Sequence, residues 1–263
     1  MSERLGPLPT MRAMRMNGNR WMEAARQLTL PGVAVAALVS LALAFSLSGC
    51  VNVASYTQPT LVRVIDGSYA APAVNVVVEG TLLAGNVGQG NITPYGTLTA
   101  STAAPIKITA ATGGAALLTT SGMLLAGHQH SVFLADIAAP PGGYTVTVLE
   151  DQQIAAASGH SAFRFLNQAT KTGAIDVYMI PTGVTMANSI PIATNLPVGN
   201  AATYIGFLSQ TVTMVITPTG TITPKYTSAP LALTGGEVRT VLLVDAQLTS
   251  NPPVEAFIAN DVD

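Results

Sequence analysis

Of the 263 residues, 49% are hydrophobic and 9% are charged, with a formal net charge of −2. That balance is the reverse of a disordered chain. From Cys50 onward six Lys or Arg, none clustered, stand against eleven Asp or Glu, so no electrostatic footprint for nucleic acid exists. A single cysteine rules out an internal disulfide framework, and stability must come from a packed core.

In chain order, Arg12, Arg15, Arg20 and Arg26 precede an apolar run from Leu30 to Phe45 that closes on Leu47-Ser48-Gly49-Cys50. A basic segment followed by an apolar one is the order of a secretory signal. With small residues before the cysteine, it resembles a bacterial lipoprotein signal. The reading is a signal peptide over 1–49 and a lipidated Cys50 that opens a tether over 50–60. Gln27 to Gly49 is long enough to span a bilayer, yet a retained span would need no Leu-Ser-Gly-Cys at its outer end. The expected location is the extracytoplasmic face of the cell envelope, with the lipid on Cys50 as the membrane partner. Val51 follows the cysteine where an inner-membrane lipoprotein often has Asp, which favours the outer membrane if the cell has one.

After the tether the chain repeats. Arg63-Val64-Ile65-Asp66 recurs as Arg164-Phe165-Leu166-Asn167, and Ala73-Val74-Asn75-Val76-Val77 as Ala174-Ile175-Asp176-Val177-Tyr178. Tyr95 matches Tyr204, and Ser131, Val132, Leu134 and Asp136 match Thr240, Val241, Leu243 and Asp245. Within each copy the apolar pattern has period two, the signature of strands with one buried face. The first copy, 61–152, is read with strands near 61–66, 73–79, 92–100, 105–110, 130–137 and 143–149. The second, 161–263, is read with strands near 162–167, 174–180, 203–209, 212–217, 238–245 and 254–259. No amphipathic helix is expected. Six or seven short strands per copy predict an all-β chain of two tandem immunoglobulin-like antiparallel β-sandwiches, although the Cys and Trp hallmarks of immunoglobulin domains are missing. The joint, Gln152 to His160, is short, which suggests domains held end to end.

The pattern Arg63-Val64-Ile65-Asp66 followed by Ala71-Pro72-Ala73-Val74-Asn75-Val76-Val77-Val78-Glu79-Gly80 resembles the opening of DUF4397, a domain of unknown function found in bacterial envelope and secreted proteins, often in tandem. The segment at Arg164 and Ala174 to Tyr178 is similar. The resemblance implies an all-β extracytoplasmic module and supplies no activity. Two departures stand out: Asp66 and Asn167 occupy a position where His is common, and Thr172-Gly173 replaces Ala-Pro in the second copy.

Candidates for chemistry are few. His128-Gln129-His130 has a metal-like spacing, since alternate strand residues share a face, but a third ligand is lacking. The second copy has Glu237 and Arg239 near these positions, so the pair reads as two solvent-facing histidines at a strand start. Arg63 with Asn75, and Arg164 with Asp176, fall on neighbouring predicted strands in both halves and are read as structural pairs. Glu150-Asp151 reads as a solvated acidic patch, because adjacent strand residues point to opposite faces. No Gly-x-Ser-x-Gly elbow or other nucleophile signature is present. The expectation is a non-catalytic envelope lipoprotein with no cofactor, serving as a structural module or as a binding module for a protein or glycan partner. The competing class is an extracytoplasmic enzyme or metal-binding protein using His128 and His130.

Overall fold

The structure, a computed structural model, describes residues 58–137, 143–246 and 253–262. The signal at 1–49, Cys50 and most of the tether lie outside the described residues. Alternation of Val, Ile, Leu and Thr with polar residues, punctuated by glycine turns, produces strands throughout. Eight belong to the first half: β1 (Thr60–Asp66), β2 (Val74–Val78), β3 (Thr81–Val87), β4 (Gly96–Leu98), β5 (Ser101–Ala110), β6 (Ala116–Leu124), β7 (Gln129–Asp136) and β8 (Tyr144–Asp151). The second half holds β9 (His160–Gln168), β10 (Ile175–Pro181), β11 (Ala193–Leu196), β12 (Ile205–Leu208), β13 (Thr211–Pro218), β14 (Tyr226–Thr227), β15 (Leu231–Ala232), β16 (Val238–Asp245) and β17 (Val254–Asn260). Among the described residues the only helical turn is the short 3-10 segment Met186–Asn188.

Each half is a sandwich of two sheets. In the first, the sheet β4-β1-β7-β8 faces the sheet β3-β2-β5-β6; in the second, β12-β9-β16-β17 faces β11-β10-β13-β14, with β15 also on β13. Pairing is antiparallel except for one parallel pair in each half, β1 with β7 and β9 with β16. The two halves thus share one strand order.

Period two sorts side chains to the two faces of the sheets that carry these parallel pairs. Val62, Val64, Val132 and Leu134 point into the first core, against Val74, Val76, Val78, Ile106 and Ile108. Phe163, Phe165, Val241 and Leu243 point into the second, against Ile175, Val177, Met179, Met214 and Ile216. The opposite faces are not solvated. Ile65, Phe133 and Ala135 pack on Leu166, Leu242 and Val244, joined at the rim by Ile92, Leu149, Ala201 and Phe257. The result is a four-layer stack in which the two central sheets are buried on both faces, which explains the nearly unbroken apolar runs of β1, β7, β9 and β16.

The end-to-end arrangement expected from the short joint is therefore corrected. Residues Thr57–Asp263 form one compact unit, and the sandwiches meet face to face. Alternation identified which positions of β1 and β9 face each core, but it cannot reveal that the other face also needs cover.

Candidate functional site

The seam between the two central sheets holds the most unusual chemistry in the molecule. β1 and β7 place Arg63 beside Ser131 in parallel register, and β9 and β16 place Arg164 beside Thr240. These four residues share the seam face with the apolar contacts, at its edge. The last residue of β8, Asp151, and the residue after β17, Asp261, bring carboxylates to them. All six side chains are buried, Arg63 to 1% exposure and Arg164 to 3%.

The connections cross between halves. Arg63 Nη2 donates to Asp261 Oδ1 at 2.6 Å and to Thr240 Oγ1 at 3.2 Å, while its Nε donates to Ser131 Oγ at 2.8 Å. Arg164 Nη2 donates to Asp151 Oδ1 at 2.7 Å and to Thr240 Oγ1 at 2.9 Å. Each aspartate keeps its second oxygen for its own half. Asp151 Oδ2 accepts from Ser131 Oγ and Tyr95 Oη, both at 2.7 Å; Asp261 Oδ2 accepts from Thr240 Oγ1 at 2.7 Å and Tyr204 Oη at 2.6 Å. Tyr95 lies under the Arg63 guanidinium at 4.7 Å and Tyr204 under Arg164 at 4.8 Å, so each cation also rests on an aromatic face.

The electrostatics follow from this enclosure. Burial pulls the Arg63 pKa down, but the carboxylates of Asp261 and Asp151 outweigh it and the net shift is upward. Burial, reinforced by Asp151, pushes the Tyr95 phenol above its ordinary value; burial, with Asp261, does the same to Tyr204. Both phenols therefore remain donors at any physiological pH. Two cations and two anions cancel within hydrogen-bond distance, a condition for tolerating buried charge. Above the cluster a cleft of about 530 Å³, lined by Leu61, Ile92, Pro94, Tyr95, Gln129 and Asn260, reaches Arg63. The Arg63 nitrogens all donate to protein groups, including Nη1 to the Asn260 carbonyl at 3.4 Å.

The residues singled out in the sequence take different places. Arg63 does not meet Asn75, nor Arg164 Asp176, because β1 and β2, like β9 and β10, belong to different sheets. The expected pairs are replaced by two others. Asn75 Oδ1 accepts the N–H of Asn86 at 3.0 Å, and Asp176 Oδ1 that of Asn195 at 2.8 Å. Asn86 and Asn195 have φ of 55° and 49°, the left-handed conformation that asparagine tolerates better than most residues, where β3 and β11 are bulged against their partners. Asp151 is not part of a solvated patch. Strand alternation does separate it from Glu150, but the face it turns to is the seam.

His128 and His130 also part company. His128 precedes β7, half exposed, with Nδ1 at 2.6 Å from Glu150 Oε1. His130 is buried to 2% exposure and not solvent-facing: Nε2 accepts the Leu125 N–H at 3.3 Å, and Nδ1 lies 3.0 Å from Thr60 Oγ1. Burial lowers its pKa, which favours the neutral ring that this bonding requires. Both ring nitrogens are thus directed at protein groups.

The residues that sequence reasoning missed are Asp151 and Asp261 as partners of the arginines, and Tyr95 and Tyr204 as their platforms. A signal was present: Arg63, Tyr95 and Ser131 each have a counterpart in the second half, and polar residues within otherwise apolar strands need partners there. A family model described as "Domain of unknown function (DUF4397)" matches residues 60–178. The match covers the whole first sandwich and continues through β9 into β10, across the joint. No curated protein matches the chain.

Proposed function

We propose that this chain is a non-catalytic envelope lipoprotein, made of two tandem copies of one β-sandwich domain clamped into a single body that serves as a spacer or as a binding surface. The observation that carries the reading is the crossed Arg63–Asp261 and Arg164–Asp151 arrangement. The ionisable groups that converge at the seam are buried, charge-balanced and bonded internally, whereas a reaction needs a base or nucleophile that substrate can reach. The shared strand order and the counterpart residues Arg63 and Arg164, Tyr95 and Tyr204, Ser131 and Thr240, Asp151 and Asp261 support the two-copy reading.

Contact with a protein or glycan partner fits the segment between β10 and β11. Met186 there packs on Tyr178, Ile180 and Val215 of the outer face of the second sandwich, while Val184 and Ile190 stand exposed, Ile190 to 85%. Loops on a rigid scaffold are the usual carriers of recognition. Attachment through Cys50 rests on Leu47-Ser48-Gly49-Cys50, since two or more acyl chains hold a protein stably on a bilayer.

Cells grown with a radiolabelled fatty acid should label the wild-type chain and bring it down with the membranes. Cys50→Ala should lose the label and no longer be recovered as a shortened, membrane-bound chain. A Cys50→Ala chain that is still shortened and membrane-bound would overturn the anchoring. About one equivalent of tightly held metal on the purified protein, lost with His128→Ala and His130→Ala, would overturn the non-catalytic reading in favour of the histidine pair.

A further inference from the structure

At the end of the first sandwich core, Asp66 closes β1 with a side chain that is 1% exposed. Its Oδ1 accepts the Ser68 N–H at 2.9 Å, but its Oδ2 is buried and has no hydrogen-bond partner as a carboxylate. An unbonded carboxylate oxygen in an apolar core is among the costliest arrangements a protein can hold. The second sandwich shows what belongs there. Its corresponding residue, Asn167, accepts the Ala169 N–H through Oδ1 at 2.9 Å. Through Nδ2 it donates to the carbonyls of Gly173 at 2.9 Å and Leu196 at 2.8 Å.

Strand register identifies the equivalent carbonyls of the first sandwich. Ile175 pairs with Leu196 as Val74 pairs with Val87, so Gly173 corresponds to Pro72 and Leu196 to Val87. By that correspondence, the carbonyls of Pro72 and Val87 are the counterparts of the two acceptors that Asn167 meets. Asparagine meets them with an amide N–H, and an aspartate can do so only with a proton on Oδ2.

We propose that Asp66 is held as the neutral carboxylic acid, donating through Oδ2 to the carbonyl of Pro72 or Val87, and that its ionisation loosens the loop closing this end of the sandwich. The surroundings agree. Burial, with the nearby Asp136 charge, raises the Asp66 pKa to about 7 against the one opposing bond from Ser68. Among the described residues, no cation is among the groups acting on it. Loop 88–91 contributes backbone through Asn91 O and Gly90 N–H, and β7 contributes the Asp136 carboxylate. Asp136 is itself held by Ser68 Oγ and by the Tyr69 N–H at 2.8 Å and the Ala70 N–H at 3.3 Å. Lys171 Nζ sits over the Tyr69 ring at 4.8 Å. Ionised Asp66 would place a second carboxylate charge against the loop whose amides bind the first.

The sign of the effect is fixed. An unfolded aspartate releases its proton near pH 4, whereas the folded chain retains it to about 7. The stabilisation from Asp66 is thus complete below about pH 4 and is lost as pH rises through about 7. The test is the ¹³C shift of the Asp66 carboxyl in the soluble chain from Val51 onward, followed from pH 4 to 9, together with melting curves of wild type and Asp66→Asn. The carboxyl should titrate near 7. Asp66→Asn, which copies Asn167, should melt like wild type near pH 4 and progressively above it as pH rises to 7, with a gap that levels off beyond. The full loss corresponds to a folding constant lower by on the order of a thousandfold. A carboxyl that titrates near 4, or an Asp66→Asn chain no more stable than wild type at pH 8, would overturn the proposal. The carboxyl titration needs no variant, so a failure of Asp66→Asn to fold leaves the test intact.

Discussion

Asp151 and Asp261 do the same work from opposite sides of the seam. Each accepts from a tyrosine and a hydroxyl of its own half and from an arginine of the other. Loss of either leaves a buried guanidinium without its closest anion, and that penalty, not the net worth of the pair, sets the cost. Asp151→Ala and Asp261→Ala should each destabilise the chain by about 3–5 kcal/mol in urea denaturation at pH 7. The two values should agree within about 1 kcal/mol, given the usual scatter of such effects. Asp151 also lies 3.6 Å from Arg63 Nε, which places its loss at the upper end. A cost below about 1 kcal/mol for both would mean that the arginines find water instead.

At the scale of elements, strong alternation made most strands legible. The reading of 238–245 coincides with β16, and those of β1, β2, β7, β9, β10 and β13 differ from the structure by one or two residues. The strands passed over, β3, β6, β11, β14 and β15, lie toward the sheet margins, where burial is partial and apolar periodicity fades. β3 carries Gly85 and a left-handed Asn86, and β6 buries only its last residue, Leu124. Pairing partners were harder still. β1 and β2 follow one another in sequence yet enter different sheets, and for that reason the Arg63–Asn75 pairing failed. Elements also set the limits of the seam. Gly90, at φ 83° in the turn after β3, faces Phe257 of β17 so closely that an added Cβ would lie 2.6 Å from the ring. Gly90→Ala should cost roughly 2–4 kcal/mol, from left-handed strain and overpacking together. Gly80→Ala, left-handed but facing open space, should cost only the strain. Equal costs in parallel thermal melts would show that Phe257 yields freely and that this rim of the seam is loose.

For the whole molecule, the seam changes what a half is. Each sandwich has its own core, which the sequence pattern displayed, but each also owns one face of a shared third cluster and half of a charged network that the pattern did not display. A separated half would expose Ile65, Phe133 and Ala135, or Leu166, Leu242 and Val244, together with an arginine and an aspartate stripped of their partners. With core, seam and charge network shared in this way, the two sandwiches should behave as one cooperative body. Differential scanning calorimetry of the chain from Val51 onward, with urea-free reversibility verified by a second scan, tests it directly. One transition is expected, with a van't Hoff enthalpy equal to the calorimetric one, ~140 kcal/mol for a body of about 200 residues at ~0.7 kcal/mol per residue. Two transitions, or a van't Hoff enthalpy near half the calorimetric value, would show that the sandwiches unfold independently and would contradict the claim.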